Sequence, residues 1–163
     1  MRNTVAGRVL AVGIALAGMG ALSACGSEDD ATRDEGTQEV TEAGNADAFS
    51  LQVGDCFDDP EGTEVTEVPA VPCAEPHDNE IFEAFDMDEG DWPGDDAVQA
   101  AVEEGCGGAF EAFVGTPYDT SALYLDALTP TEDSWTQGDD REILCVVFDP
   151  EGPVEGTLEG SAL

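Results

Sequence analysis

Glu142-Ile143-Leu144-Cys145-Val146-Val147-Phe148 carries the strongest strand signal in the chain. Its side chains are apolar at both parities, so an extended backbone here must bury both faces, which places the strand inside a sheet. Working upstream, Gln137-Gly138-Asp139-Asp140 and Thr129-Pro130-Thr131 read as turns, and Leu123-Tyr124-Leu125 as a short apolar strand. Before them, Val98, Val102, Cys106, Phe110 and Phe113 recur at four- and three-residue steps, one stripe of a helix running through Val114. Asp95 is placed to cap that helix, Asp96 favours its positive end, and Gly115 suits its C-terminus. Gly105, Gly107 and Gly108 interrupt the stripe, each costing up to ~1 kcal/mol against alanine, so the helix needs tertiary support or splits in two.

Further upstream lie three more extended segments. Glu80-Ile81-Phe82-Glu83-Ala84-Phe85 suits a strand, Glu64-Val65-Thr66-Glu67-Val68 alternates, and Ser50 to Phe57 is extended around a Gly54-Asp55 turn. Pro69 and Pro72 restrict Val68–Cys73 to an edge or irregular segment. Downstream of Phe148, Asp149-Pro150-Glu151-Gly152 turns and Val154 to Leu158 reads as a last edge strand. The order of strands, one helix and strands again gives an α+β fold, a small mainly antiparallel sheet packed against one helix.

The N-terminus is of a different kind. Met1 to Arg8 holds two arginines and no acid, and Val9 to Leu22 is apolar or small throughout. That run is shorter than the ~20 residues a membrane span needs, and reads as the apolar core of a signal peptide, residues 1–24. Leu22-Ser23-Ala24-Cys25 then resembles the bacterial lipobox, in which small residues admit a peptidase and the cysteine thiol takes a diacylglyceryl group. Two acyl chains suffice for stable attachment. The expected location is therefore the extracytoplasmic face of the cell membrane, with the membrane as the partner held through lipid on Cys25. Gly26 to Ala48 is Gly, Ser, Thr, Ala and acid, with Val40 its one large apolar residue. Such a stretch buries too little to offset chain entropy, so residues 25–48 read as a lipidated cysteine and a disordered acidic linker, with the folded unit over 49–163.

Four cysteines remain: Cys56, Cys73, Cys106 and Cys145. An even number in a small exported domain reads as two disulfides. Of three possible pairings, Cys56–Cys73 joins neighbouring segments across a turn, and Cys106–Cys145 fastens the helix stripe to the interior strand. A zinc site built on Cys73-x-x-x-His77 lacks a Cys-x-x-Cys pair, and the oxidising compartment opposes it, so neither metal nor cofactor is assigned.

Charge excludes whole classes of partner. The chain has 38 Asp plus Glu against 4 Lys plus Arg, a formal charge of −34. There is no lysine, and only Arg33 and Arg141 follow Cys25. Nucleic-acid binding needs cations that displace counterions from phosphates, and these are missing. The acids read as a solvated coat whose self-repulsion salt should relieve, raising the melting temperature.

Few residues offer chemistry. His77 is the single histidine and stands near Asp78 and Glu80, where it has the makings of a base, a pH sensor or a ligand, or simply fixes the end of a loop. No nucleophile elbow, metalloprotease helix or phosphate loop is present, so no catalytic residue is assigned and the chain reads as no enzyme. Asp86-Met87-Asp88-Glu89-Gly90-Asp91 fails as an EF-hand, since its Gly falls fifth and Ala97 stands where the twelfth-position Glu is required. Trp92, Trp135, Tyr118 and Tyr124 are candidates for a recognition surface, with core packing expected for at least one tryptophan.

In order along the chain stand Gly54-Asp55-Cys56-Phe57, Val71-Pro72-Cys73 with Pro76-His77, Glu80-Ile81-Phe82, and Trp92-Pro93-Gly94. Cys106 in a helix ending Phe113-Val114-Gly115 follows, then Trp135, Gly138-Asp139, Arg141 and Cys145. Together these resemble the septum-formation-related domain of actinobacteria over roughly Leu51 to Ser161. The usual Gly-Asp-Arg of that domain stands here as Gly138-Asp139-Asp140-Arg141, one acid longer. The resemblance implies an envelope protein linked to cell division with no established catalytic residues. The expected function is a lipid-anchored, non-enzymatic interaction module for an envelope-protein or cell-wall partner. Its candidate binding residues are His77, Trp92, Trp135 and Arg141. The alternatives are a solute- or cation-binding lipoprotein and, third, a hydrolase built on His77.

Overall fold

A computed structural model describes residues 30–60 and 65–163. The leader, the lipobox and Cys25 lie outside the described residues, as does Glu64. Among the described residues no helix is long and apolar enough to cross a membrane.

The strands are β1 (Thr32–Arg33), β2 (Val40–Glu42), β3 (Gly44–Asp47), β4 (Cys56–Phe57), β5 (Glu67–Val71) and β6 (Asn79–Asp86). Helix α1 (Asp95–Val114) follows, then β7 (Tyr124–Leu128), helix α2 (Glu132–Gly138) and β8 (Glu142–Phe148). Six strands form one antiparallel sheet in the order β3-β5-β4-β6-β8-β7, and β1 pairs with β2 beside it. The fold is α+β as the sequence predicts, with a larger sheet and a second short helix.

Interior position explains the composition of β8. Ile143, Cys145 and Val147 point to one face, where they pack with Phe82, Val98, Val102, Cys106, Phe110 and Val114 under α1. Leu144 and Val146 point to the other, where Val40, Ala46, Leu51, Phe57, Val68 and Ile81 cover them. Ile81 and Phe82 of β6 face opposite layers by ordinary alternation, and the bulge between Ile81 and Glu83 shifts that alternation so that Ala84 joins the layer of Ile81 and Phe85 that of Phe82.

Helix α1 does not split at its glycines. A Cβ on Gly105 would collide with the ring of Phe85, so glycine is what allows the helix to lie against β6. Cys106 is joined to Cys145 with Cα atoms 5.4 Å apart, and Cys56 to Cys73 at 5.2 Å. Gly94 occupies the N-cap and Asp95 begins the helix, so Asp95 acts through its charge near the N-terminus rather than as the cap. Gly115 closes the helix with a left-handed φ of 88°.

Four further segments depart from expectation. The segment read as a disordered linker is ordered from Asp30 onward: β3 pairs with β5, and Arg33 forms a two-pronged ion pair with buried Asp55, at 2.6 and 2.7 Å. Asp55 also accepts from Gln52 N at 2.9 Å, and its hydrogen bond raises the Arg33 pKa. Strand hydrogen bonds are made by backbone, so β3 needs none of the apolar content that the composition lacks. Because β3 adds outside β5, the proline-bearing segment is not an edge. Asp58 N donates to Pro69 O, and Pro69 has no N–H with which to carry the β4 ladder further. Thr131 caps α2 through a capping box with Ser134, converting two expected turns into a helix. Val154 to Leu158 is not a strand, and only Val154 makes a bridge, to His77.

Candidate functional site

The sequence candidates occupy two places separated by the length of β6. His77 precedes that strand, whereas Trp92, Trp135 and Arg141 gather beyond its far end.

His77 is fully buried. Its backbone exchanges two 2.9 Å hydrogen bonds with Val154, and Nδ1 lies 2.8 Å from the carbonyl oxygen of Glu75. A carbonyl only accepts, so Nδ1 is the donor in this pair, and in the neutral imidazole that leaves Nε2 as the acceptor. Nε2 has no hydrogen-bond partner among the described residues. Glu80, also buried, accepts from Thr157 Oγ1 at 2.6 Å and from Leu158 N at 2.7 Å, which ties the C-terminal segment to β6. Burial removes His77 from any surface that meets a partner.

Trp135 is buried on α2, donating Nε1–H to the Gly90 carbonyl at 2.9 Å, and Trp92 meets it edge-on with ring centroids 5.4 Å apart. The Arg141 guanidinium stacks 3.9 Å from the Trp135 ring centroid. It donates to the carbonyls of Trp135 and Asp140 at 3.0 and 2.8 Å and to Asp139 Oδ1 at 3.1 Å. The extra acid of the Gly-Asp-Asp-Arg run has a structural place. Asp139 ends α2 with a left-handed φ of 57°, and Asp140 accepts from Ser134 Oγ at 2.8 Å and Glu142 N at 3.2 Å. Arg141 is thus committed to its own neighbours. Tyr118 and Tyr124 are exposed elsewhere, against Phe110 and Phe148 respectively, so the four aromatics do not form one surface.

Beside this cluster a groove of about 570 Å³ opens between the β7–β8 pair, the start of α2 and the turn after β3. Val65, Ala127, Leu128 and Leu144 make an apolar floor, Phe49 stands at the margin with 65% of its surface exposed, and Asp133, Asp140 and Glu142 supply acid. A second hollow of about 390 Å³ shares Phe49, Asp140 and Glu142 and adds Asp86, Glu89 and Asp139. The Glu142 pKa is raised, by burial first and then by repulsion from Asp86 and Asp140. The trough therefore joins apolar contact area to an excess of negative charge, with Arg141 at its edge paired to Asp139 and held by the carbonyls of Trp135 and Asp140. The sequence pattern marked β8 as two-faced, but Phe49, Leu128 and Glu142 come together only in the folded chain.

In comparison with known families, the model of the family described as septum formation matches residues 53–159. No curated protein and no solved structure matches. The matched stretch contains both disulfides and the Trp135–Arg141 cluster, and begins after the ordered N-terminal segment that closes the second face of the sheet.

Proposed function

Because this chain belongs to the septum formation family, we propose that it is a non-enzymatic binding module of the cell envelope at division, held to the outer face of the membrane by lipid on Cys25. The observation that carries the binding role is the groove, whose apolar floor and acidic rim match a partner segment combining basic and apolar side chains. Charge complementarity steers such a segment, and the exposed Phe49 ring gives it an aromatic anchor. Burial of His77 counts against a hydrolase built on it. The lipobox at Leu22 to Cys25 supports the anchor, and the paired cysteines suit an oxidising compartment.

Crosslinking from membranes followed by pull-down tests the reading. The Phe49→Ala/Glu142→Lys variant should capture at least about tenfold less of the partner, as loss of a binding hot spot implies. Undiminished capture by a folded variant overturns the groove as the interface. Cys25→Ser should leave the membrane fraction or retain its leader, and unchanged processing and retention overturn the anchor.

A further inference from the structure

Among the described residues, Cys56, His77 and Glu80 each bring one donor atom within 4.8 Å of the others, and all three are buried. The trio is a set of acceptors: a histidine lone pair without a partner, a carboxylate, and a sulfur. Its supports are those of a ligand set. A metal-binding histidine commonly donates its other ring nitrogen to a backbone carbonyl, as His77 Nδ1 does to Glu75, and a ligating carboxylate is itself held by hydrogen bonds, as Glu80 is by Thr157 and Leu158. In the oxidised protein the sulfur is bonded to Cys73 and offers no thiolate, so the set is incomplete.

We propose that reduction of the Cys56–Cys73 disulfide creates a buried site for zinc or a cation of its class, with the clustered Cys56, His77 and Glu80 as three donors and the thiolate freed on Cys73, the bonded neighbour of Cys56, as the fourth. A dithiol reductant supplies the electrons. The S–S bond breaks, two thiols form, and the reductant becomes a disulfide. The metal then displaces the two thiol protons to solvent as both thiolates bind. Two sulfurs, one imidazole nitrogen and one carboxylate oxygen suit a tetrahedral zinc centre. The site is selective in its trigger, because Cys73 is only half-buried whereas Cys106 and Cys145 are fully buried, so a mild reductant reaches the first pair before the second.

Cobalt(II), which reports thiolate ligation by its ultraviolet charge-transfer absorption, is the probe, titrated into the mature chain before and after mild reduction and then displaced by zinc. Alkylation and mass spectrometry identify which cysteines were freed. One cobalt per reduced chain with thiolate absorption, and none in the oxidised chain, is the expected result. His77→Gln, checked for an unchanged fold while oxidised, should weaken binding at least about tenfold, and Glu80→Gln should weaken it too, since even outer-shell changes cost 10–100-fold. Absence of thiolate absorption in the reduced chain overturns the site, as does equal binding by oxidised protein or by His77→Gln. Unfolding on reduction with zinc already present overturns it equally.

Discussion

The two faces of the sheet are comparably apolar along β8 and are closed by different means. The face carrying Ile143, Cys145 and Val147 lies under a 20-residue helix, α1, stapled to it by Cys106–Cys145. The face carrying Leu144 and Val146 is closed by short pieces: Val40, Ala46 and Leu51 from the N-terminal segment, with Phe57 and Val68. That segment is held by backbone pairing with β5 and by one ion pair between Arg33 and Asp55. A helix of this length spans its face, whereas the short strands and turns leave an opening at one end, and that opening is the groove. The first face should therefore carry more of the stability, while the groove proposed for binding lies on the second, as expected where functional surface is drawn from the less densely packed part of a fold.

Substitutions on either side test this division. Phe110→Ala, at a fully buried ring touching Phe82 and Tyr118, should cost about 4 kcal/mol in denaturant unfolding. Val40→Ala, its counterpart on the second face, should cost about 1.5 kcal/mol. Val102→Ala, the same deletion under α1, should cost more than Val40→Ala, and equal losses by these two would refute the asymmetry. Replacing Cys106 and Cys145 together with alanine opens a 39-residue loop and should cost nearly as much as the phenylalanine, about 4 kcal/mol on the loop-entropy estimate. Chemical unfolding of the oxidised variant measures it.

Removing the ion pair sharpens the comparison. Arg33→Ala should lose about 2 kcal/mol, the range for hydrogen bonds to a charged group. Hydrogen exchange should then quicken in β1 to β3 while α1 stays protected; uniform loss of protection would show that the second face is not a separate unit. The smallest effect belongs to Glu142. Its raised pKa means that the folded state holds a proton to higher pH than the unfolded chain, so stability is gained as pH falls through that pKa and lost as pH rises. Melting curves across the carboxylate range should show this slope, and Glu142→Gln should flatten it and slightly raise the melting temperature at neutral pH.

Much of the first face was legible in the sequence. The stripe Val98, Val102, Cys106, Phe110 repeats at helical spacing, and Cys106 and Cys145 each sit on an apolar face of their element. The second face was not legible, because its cover is poor in apolar residues and is ordered by long-range pairing. Val40 stands alone among acids, Arg33 reaches Asp55 across 22 residues, and β3 joins the sheet through backbone groups common to every sequence. Helix α2 was missed because Thr129-Pro130-Thr131 signals a turn as strongly as it signals a capping box.

Local periodicity and side-chain type, properties of neighbours in the chain, were enough to determine the α+β class, the interior place of β8 and the course of α1. Where the segment before Phe49 packs, how a groove forms at its end, and why His77 comes within reach of Glu80 and Cys56 were decided only by tertiary structure. Those juxtapositions depend on contacts between residues far apart in sequence, and their energies come from burial and geometry that a linear pattern does not contain.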